Sequence, residues 1–218
     1  LSYDEGAAGS DAANMPSSST YATGTTATVS STVPTWTDHD FDGWKTSGGT
    51  SYTGGDTFTM PGNDVTLIAQ WSDSEYSVTY SAPNADSGVP SDANTYIVGA
   101  DVTVGSAPIR DGYRFVGWSD GTTTHSVSGT TPMVSGGIAF TAVWDKLPDG
   151  ADDEYSTDVN ATLNVSAPGV MNNDTLGEGT NTVTVLADVS NGTLTLNADG
   201  SFTYIPDTDF AGTDTFTY

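Results

Sequence analysis

The sequence has no cysteine in 218 residues, so it has no disulfide framework, thiolate nucleophile or thiolate metal ligand. It has almost no positive charge. Lys45, Arg110, Arg114 and Lys146 are the only bases, against 28 acids and a net charge of −24. DNA, RNA or an anionic membrane would be repelled, so no nucleic-acid partner is expected. Long apolar runs are missing too. None approaches the roughly 18 residues of a membrane-crossing helix, and no leader peptide opens the sequence, so membrane insertion is not expected. The chain starts without Met, in a strand-like "LSY", and looks excised from something longer. Helical periodicity is also absent, apart from a short turn expected near Asp11–Met15. What remains is rich in Ser, Thr and Gly, with 15% charged residues, a composition suited to short strands and turns.

Self-comparison reveals a repeat. "LSY…YATGTTATV…P…FDGW…M…VTLIAQW" returns as "VTY…YIVGADVTV…P…FVGW…M…IAFTAVW". Tyr3 answers Tyr80, Val29 answers Val104, Phe41-x-Gly43-Trp44 answers Phe115-x-Gly117-Trp118, and Trp71 answers Trp144. The offset stays between 73 and 77, so two copies of one small domain lie in tandem. "VTLIAQW" and "IAFTAVW" alternate with period two and read as strands. Trp44, Trp71, Trp118 and Trp144 are the expected core.

One stretch of the first copy, "TDHDFDGWK", places Asp38, Asp40, Asp42 and Gly43 in the D-x-D-x-D-G pattern of a calcium loop. The second copy has Gly112, Arg114 and Val116 at the acidic positions, and the twelfth position of the loop is Gly49. Only the apolar framework is shared, so the stretch reads as a strand with the acids on its outer face.

"FDGW…TFTMPGNDVTLIAQW" and "GYRFVGW…IAFTAVW" resemble the Listeria–Bacteroides repeat, the internalin B-repeat type. That resemblance implies two β-grasp-like domains at residues 1–72 and 73–146, cell-surface location, and spacer or adhesion roles. The first copy departs in having His39 where the motif carries Tyr.

"DKLPDGADDEY" then reads as a linker, taken as residues 147–151. Residues 148–218 carry twelve acids and no base. Strand candidates "ATLNV", "NTVTVLAD", "GTLTLN", "SFTYIP" and "DTFTY" are separated by turn signals, the pattern of a β-sandwich. "APGVMNND", "NGTLTLNADGSFTYIP" and "FAGTDTFTY" resemble the cadherin-like, immunoglobulin-like repeats of bacterial adhesins, over residues 152–218. The resemblance implies that the sequence stops one strand short of the complete sandwich, leaving an open edge. It also implies calcium, with Asp152, Asp153, Asp174, Asp209 and Asp214 as ligands. A solvated acidic surface is the other reading of these residues, and the one placed ahead.

The inventory for catalysis is thin. His39 and His125 are the only histidines, at non-equivalent positions of the two copies, and no nucleophile elbow is present. Trp36 has no counterpart in the second copy and is the candidate ligand-stacking residue. The expected function is a non-enzymatic, extracellular stalk or adhesion region on a bacterial or archaeal cell surface. It would be monomeric and face a protein or glycan on another cell or matrix. The alternative is a carbohydrate- or protein-binding module in its own right.

Overall fold

The computed structural model describes all 218 residues and is almost wholly β, with two short 3-10 turns at Gly6–Asp11 and Gly169–Met171. The first repeat contributes β1 (Ser2–Asp4), β2 (Thr26–Thr28), β3 (His39–Lys45), β4 (Ser51–Tyr52), β5 (Thr57–Thr59) and β6 (Thr66–Asp73). Four of these form a mixed sheet in the order β1-β6-β3-β4, and β2 pairs with β5 separately. β1 runs parallel to β6, with Tyr3 opposite Leu67. β3 runs antiparallel to β6 on its other side. First and last strands side by side in parallel give the module its β-grasp-like order. The helical turn falls earlier than expected. Asp4 accepts the Gly6 N–H at 2.8 Å and starts it there. Asn14, at φ +58°, and the following Pro16 keep Asp11–Met15 out of a helix.

A bulge explains the shared Phe-x-Gly-Trp motif. In a regular strand Phe41 and Trp44 would point to opposite faces. The register slips between Phe41, opposite Trp71, and Gly43, opposite Gln70, so Asp42 is the extra residue. Both rings then reach the core and meet edge to face at 5.0 Å, with Tyr3 at 4.7 Å on Trp44. Gly43 sits at φ +116°, and a Cβ there would press on the Tyr52 carbonyl at 3.0 Å.

The second repeat contributes β7 (Tyr76–Ser81), β8 (Thr95–Tyr96), β9 (Asp101–Thr103), β10 (Tyr113–Ser119), β11 (Thr124–His125), β12 (Thr130–Pro132) and β13 (Ile138–Lys146). Its bulge repeats the first: Phe115 faces Trp144, Gly117 faces Val143, and Val116 is the extra residue. The remaining strands are β14 (Leu163–Val165), β15 (Gly192–Leu196) and β16 (Phe202–Pro206), an antiparallel sheet in the order β14-β16-β15.

The chain packs as two compact units. The first, residues 1–80, 91–105 and 128–140, buries Val29, Trp44 and Leu67 together with Val102, Met133 and Phe140. The second holds residues 81–90, 106–127 and 141–218. There Trp118 is fully buried beside Phe115, whose ring also meets Trp144 edge to face. Trp71 and Trp144 are half-buried rather than core, a correction to the expectation for four buried tryptophans. Trp71 sits near the end of β6, where its indole N–H reaches the Glu5 carbonyl at 2.9 Å.

The third module is lightly packed, with Val170 and Phe202 as its buried large apolar side chains. Phe202 meets Tyr155 and Phe216 edge to face. "APGVMNND" and "NADGS" interlock through two glycines. A Cβ on Gly169 would collide with the Gly200 carbonyl, and one on Gly200 with the Pro168 carbonyl. "NTVTVLAD" and "DTFTY" are not strands as expected. They meet in a single bridge, Ala187 with Thr217, and Leu186 is 83% exposed. Alternation marks a surface that could bury one face, but a ladder also needs a partner along its length.

Candidate functional site

Three groups of side chains could carry function. The first is the turn before β3. Asp38, at φ +60°, reverses the chain so that Trp36 and His39 bridge. Their rings lie parallel, 3.4 Å apart between centroids with 2° between planes. Trp71 meets the Trp36 edge at 5.8 Å. His39 is held by Thr37 O at 2.8 Å from Nδ1 and by Asp73 at 3.2 Å from Nε2. Trp36 is therefore not the exposed platform the sequence suggested. It is half-buried with one face covered. Thr37, Asp38, His39 and Asp73 line a cavity of about 210 Å³ with Ile97 and Val98. Hydrogen bonds from the Ser135 and Tyr76 hydroxyls hold the Asp38 carboxyl below its usual range. Asp40 and Asp42 accept the Ser74 and Ser72 hydroxyls from across the sheet, as strand residues do.

The second group is the set of five acids in the third module. They do not share one site. Asp214 is engaged by the Ser190 and Asn191 N–H groups and by the Tyr204 hydroxyl, at 2.8–3.0 Å. These donors keep its carboxyl below the usual range despite partial desolvation. Asp209 pairs with Asn160. Asp152 contributes its main-chain carbonyl to Asn173. Only Asp153 and Asp174 converge, and a phenol lies between them. Tyr218 Oη is 3.1 Å from Asp153 and 3.2 Å from Asp174, with the Ala151 and Val170 carbonyls each at 3.0 Å. Burial and these carboxylates push the Tyr218 hydroxyl far above its ordinary range, so it stays a proton donor. Calcium takes about six to eight oxygens, and no group of three or more His, Asp or Glu side chains that could hold a metal is gathered in the chain. The arrangement does not fit a calcium centre.

The third group was not foreseen as a pair. In the β10–β11 hairpin, Asp120 meets His125 Nε2 at 2.8 Å and accepts three further bonds from Thr122 and Thr123. The His125 bond, followed by those of the threonines, holds the Asp120 carboxyl well below its usual range. The readable signal was "SDGTTTH", an Asp-Gly turn with a His five residues on. The pair closes a turn; each Asp120 bond is made within six residues of chain.

Comparison with known proteins finds repeat and adhesin-type domains. Residues 1–70 and 76–143 match the model of the Listeria-Bacteroides repeat domain, and residues 145–218 match that of the bacterial cadherin-like domain. Internalin H of Listeria monocytogenes is 32% identical over 130 residues, covering 58% of this chain and 23% of that protein. A protein of Evansella cellulosilytica named as a Gly-rich membrane protein is 34% identical over 92 residues, covering 38% of this chain and 11% of its own length. The chain thus spans under a quarter of either relative. No solved structure matches it.

Proposed function

Since the chain belongs to the Listeria–Bacteroides repeat family and carries a bacterial cadherin-like domain after its two repeats, we propose that it is a stalk or adhesion region. It spaces or presents a binding region of a larger cell-surface protein and catalyses nothing. The coarser reading, a surface adhesion-type region, follows from the domain types and the likeness to Internalin H. One observation supports the finer one: the side chains common to both repeats are spent on the fold. Phe41, Trp44, Phe115 and Trp118 build the cores, and the acids of the polar clusters are engaged by partners within the chain. Helices long and apolar enough to cross a membrane are absent.

Antibodies raised against the chain test the location: they should label intact cells of the source organism, and surface proteolysis should remove the epitope. Labelling only after lysis would overturn the reading. The second reading, a carbohydrate- or protein-binding module, draws on Trp36 beside the cavity at Asp38 and Asp73. Glycan-array binding by the intact chain, lost in Trp36→Ala, would favour it over the stalk.

A further inference from the structure

Connectors between modules are ordinarily places where few contacts cross. Residues 71–75, between the two repeat matches, are the reverse. Ser72 Oγ donates to Asp42 at 3.1 Å, and Asp73 pairs with His39 at 3.2 Å. The Ser74 N–H donates to the Asp38 carbonyl at 2.8 Å and its hydroxyl to Asp40 at 2.9 Å. Glu75 accepts the Thr95 hydroxyl of the second repeat. The grip then passes beyond the connector. Tyr76 and Ser135, both of the second repeat, donate their hydroxyls to the Asp38 carboxylate, Tyr76 at 2.7 Å. All of these residues belong to the first compact unit, which takes in residues 1–80, 91–105 and 128–140 and so crosses the repeat boundary.

The second copy shows which of these bonds the fold itself requires. Gly112 stands at the Asp38 position, at φ +70° against +60°, so the left-handed turn is kept. Its carbonyl accepts the Leu147 N–H at 2.9 Å, as that of Asp38 accepts Ser74. What is missing is the carboxylate. Arg114 replaces Asp40 and pairs with Asp145 inside its own sheet. The turn therefore needs a main-chain bond and a left-handed residue, for which Gly serves at no steric cost. The Asp38 carboxylate is not needed for it, and both hydroxyls it accepts come from the next repeat. We propose that Asp38 is a clamp between repeats: its carboxylate, with Asp40 on Ser74, holds the joint between the first and second repeats in one orientation. The surface it fits is the start of a following repeat that offers hydroxyls at the Tyr76 and Ser135 positions. A repeat with Gly at this place, as in the second copy, has no such clamp. This deepens the stalk reading and rests on it for its use, because a spacer with a fixed joint cannot fold back on itself.

The test uses the intact chain carrying two spin labels. Because the sequence has no cysteine, Ser47→Cys and Thr103→Cys, both exposed and one on each repeat, take the labels alone. Pulsed electron resonance then reads the distribution of distances between them. The labelled parent should give one narrow distribution. Asp38→Gly, which keeps the left-handed turn, should lose it and give a broad one. Tyr76→Phe with Ser135→Ala removes both donors and leaves the carboxylate in place. It should broaden the distribution likewise, and it decides the matter if Asp38→Gly fails to fold. Asp120→Asn, at a carboxylate bonded within its own turn, should leave the distribution narrow. A broad distribution in the parent, or a narrow one in either folded clamp variant, would overturn the proposal. Labelling of intact cells by antibody does not depend on the joint, so failure of the clamp and failure of the surface reading are separate results.

Discussion

Removing one oxygen, in Tyr218→Phe, isolates the connection that ties residue 218 to the start of the third module and to its 170–174 segment. The phenol lies within 3.0–3.2 Å of four acceptor oxygens, from Ala151, Asp153, Val170 and Asp174, yet carries one proton. The proton serves one acceptor at a time, so a single charge-assisted bond is lost, worth about 1.5–3 kcal/mol. Asp174 retains the Ala151 N–H at 2.7 Å, which argues for the middle of that range, about 2 kcal/mol. For a module of this size about 2 kcal/mol corresponds to a fall in melting temperature of roughly 8–16 °C. Calorimetry of the intact chain would show it as a shift of one transition. Alkali supplies an independent reading. Burial, then the Asp153 bond, raise the folded phenol above its unfolded value, which is about 10. Its contribution is therefore complete below pH about 10 and is lost as pH rises through the folded value. The stability difference between parent and Tyr218→Phe should shrink above that pH. A shift below about 2 °C, or a difference that does not change in alkali, would refute the reasoning.

Trp44→Ala should cost about 3–5 kcal/mol, enough to unfold the first repeat. The lower half of that range is expected because Trp44 buries its indole N–H without an acceptor; loss of one calorimetric transition is the measurement. Gly169→Ala puts a Cβ into the Gly200 carbonyl at φ +56° and should leave residues 152–218 sensitive to limited proteolysis while the first repeat resists. Asp120, its folded carboxyl lowered by His125, contributes above its unfolded value of about 3.9 and loses that contribution as pH falls below it. Asp120→Asn should flatten the acid side of the pH–stability curve. Calcium at about 10 mM should stabilise the chain no more than sodium chloride of matched ionic strength. An excess for calcium that disappears in Asp153→Asn would instead place a cation at Asp153.

The apolar framework was legible because the sequence states it twice. Phe41, Gly43 and Trp44 recur as Phe115, Gly117 and Trp118, and all belong to the bulge or the core it creates. The bulge itself was not legible. Its register is fixed by where Trp71 and Gln70 fall on the neighbouring strand, a pairing that no local pattern encodes. Trp36 was misjudged for a related reason: a residue without a counterpart in the second repeat looked free, but the left-handed Asp38 folds His39 over it. The fate of the third module's acids was hidden in the same way. Asp214 finds its donors 24 and 23 residues away, at Ser190 and Asn191, and in a segment with twelve acids nothing marks which carboxylates will meet backbone N–H groups. "NTVTVLAD" shows the converse failure, a good strand pattern that found almost no ladder.

The strand that carries each bulge also bears on how tandem copies avoid misassembly. Two modules sharing one framework invite exchange during folding, with β3 of one copy docking where β10 of the other belongs. The outward residues argue against that exchange. In the native pairings Asp40 lies opposite Ser72, and Arg114 lies opposite Asp145 and is ion-paired to it. Exchange would set Asp40 directly against Asp145, and like charges across a ladder are destabilising. It would also leave Arg114 facing a serine. Asp40, one of the acids that looked like half of a metal loop, thus carries a charge that disfavours the wrong pairing: the core framework is common to both copies, and the charge opposite it differs between them.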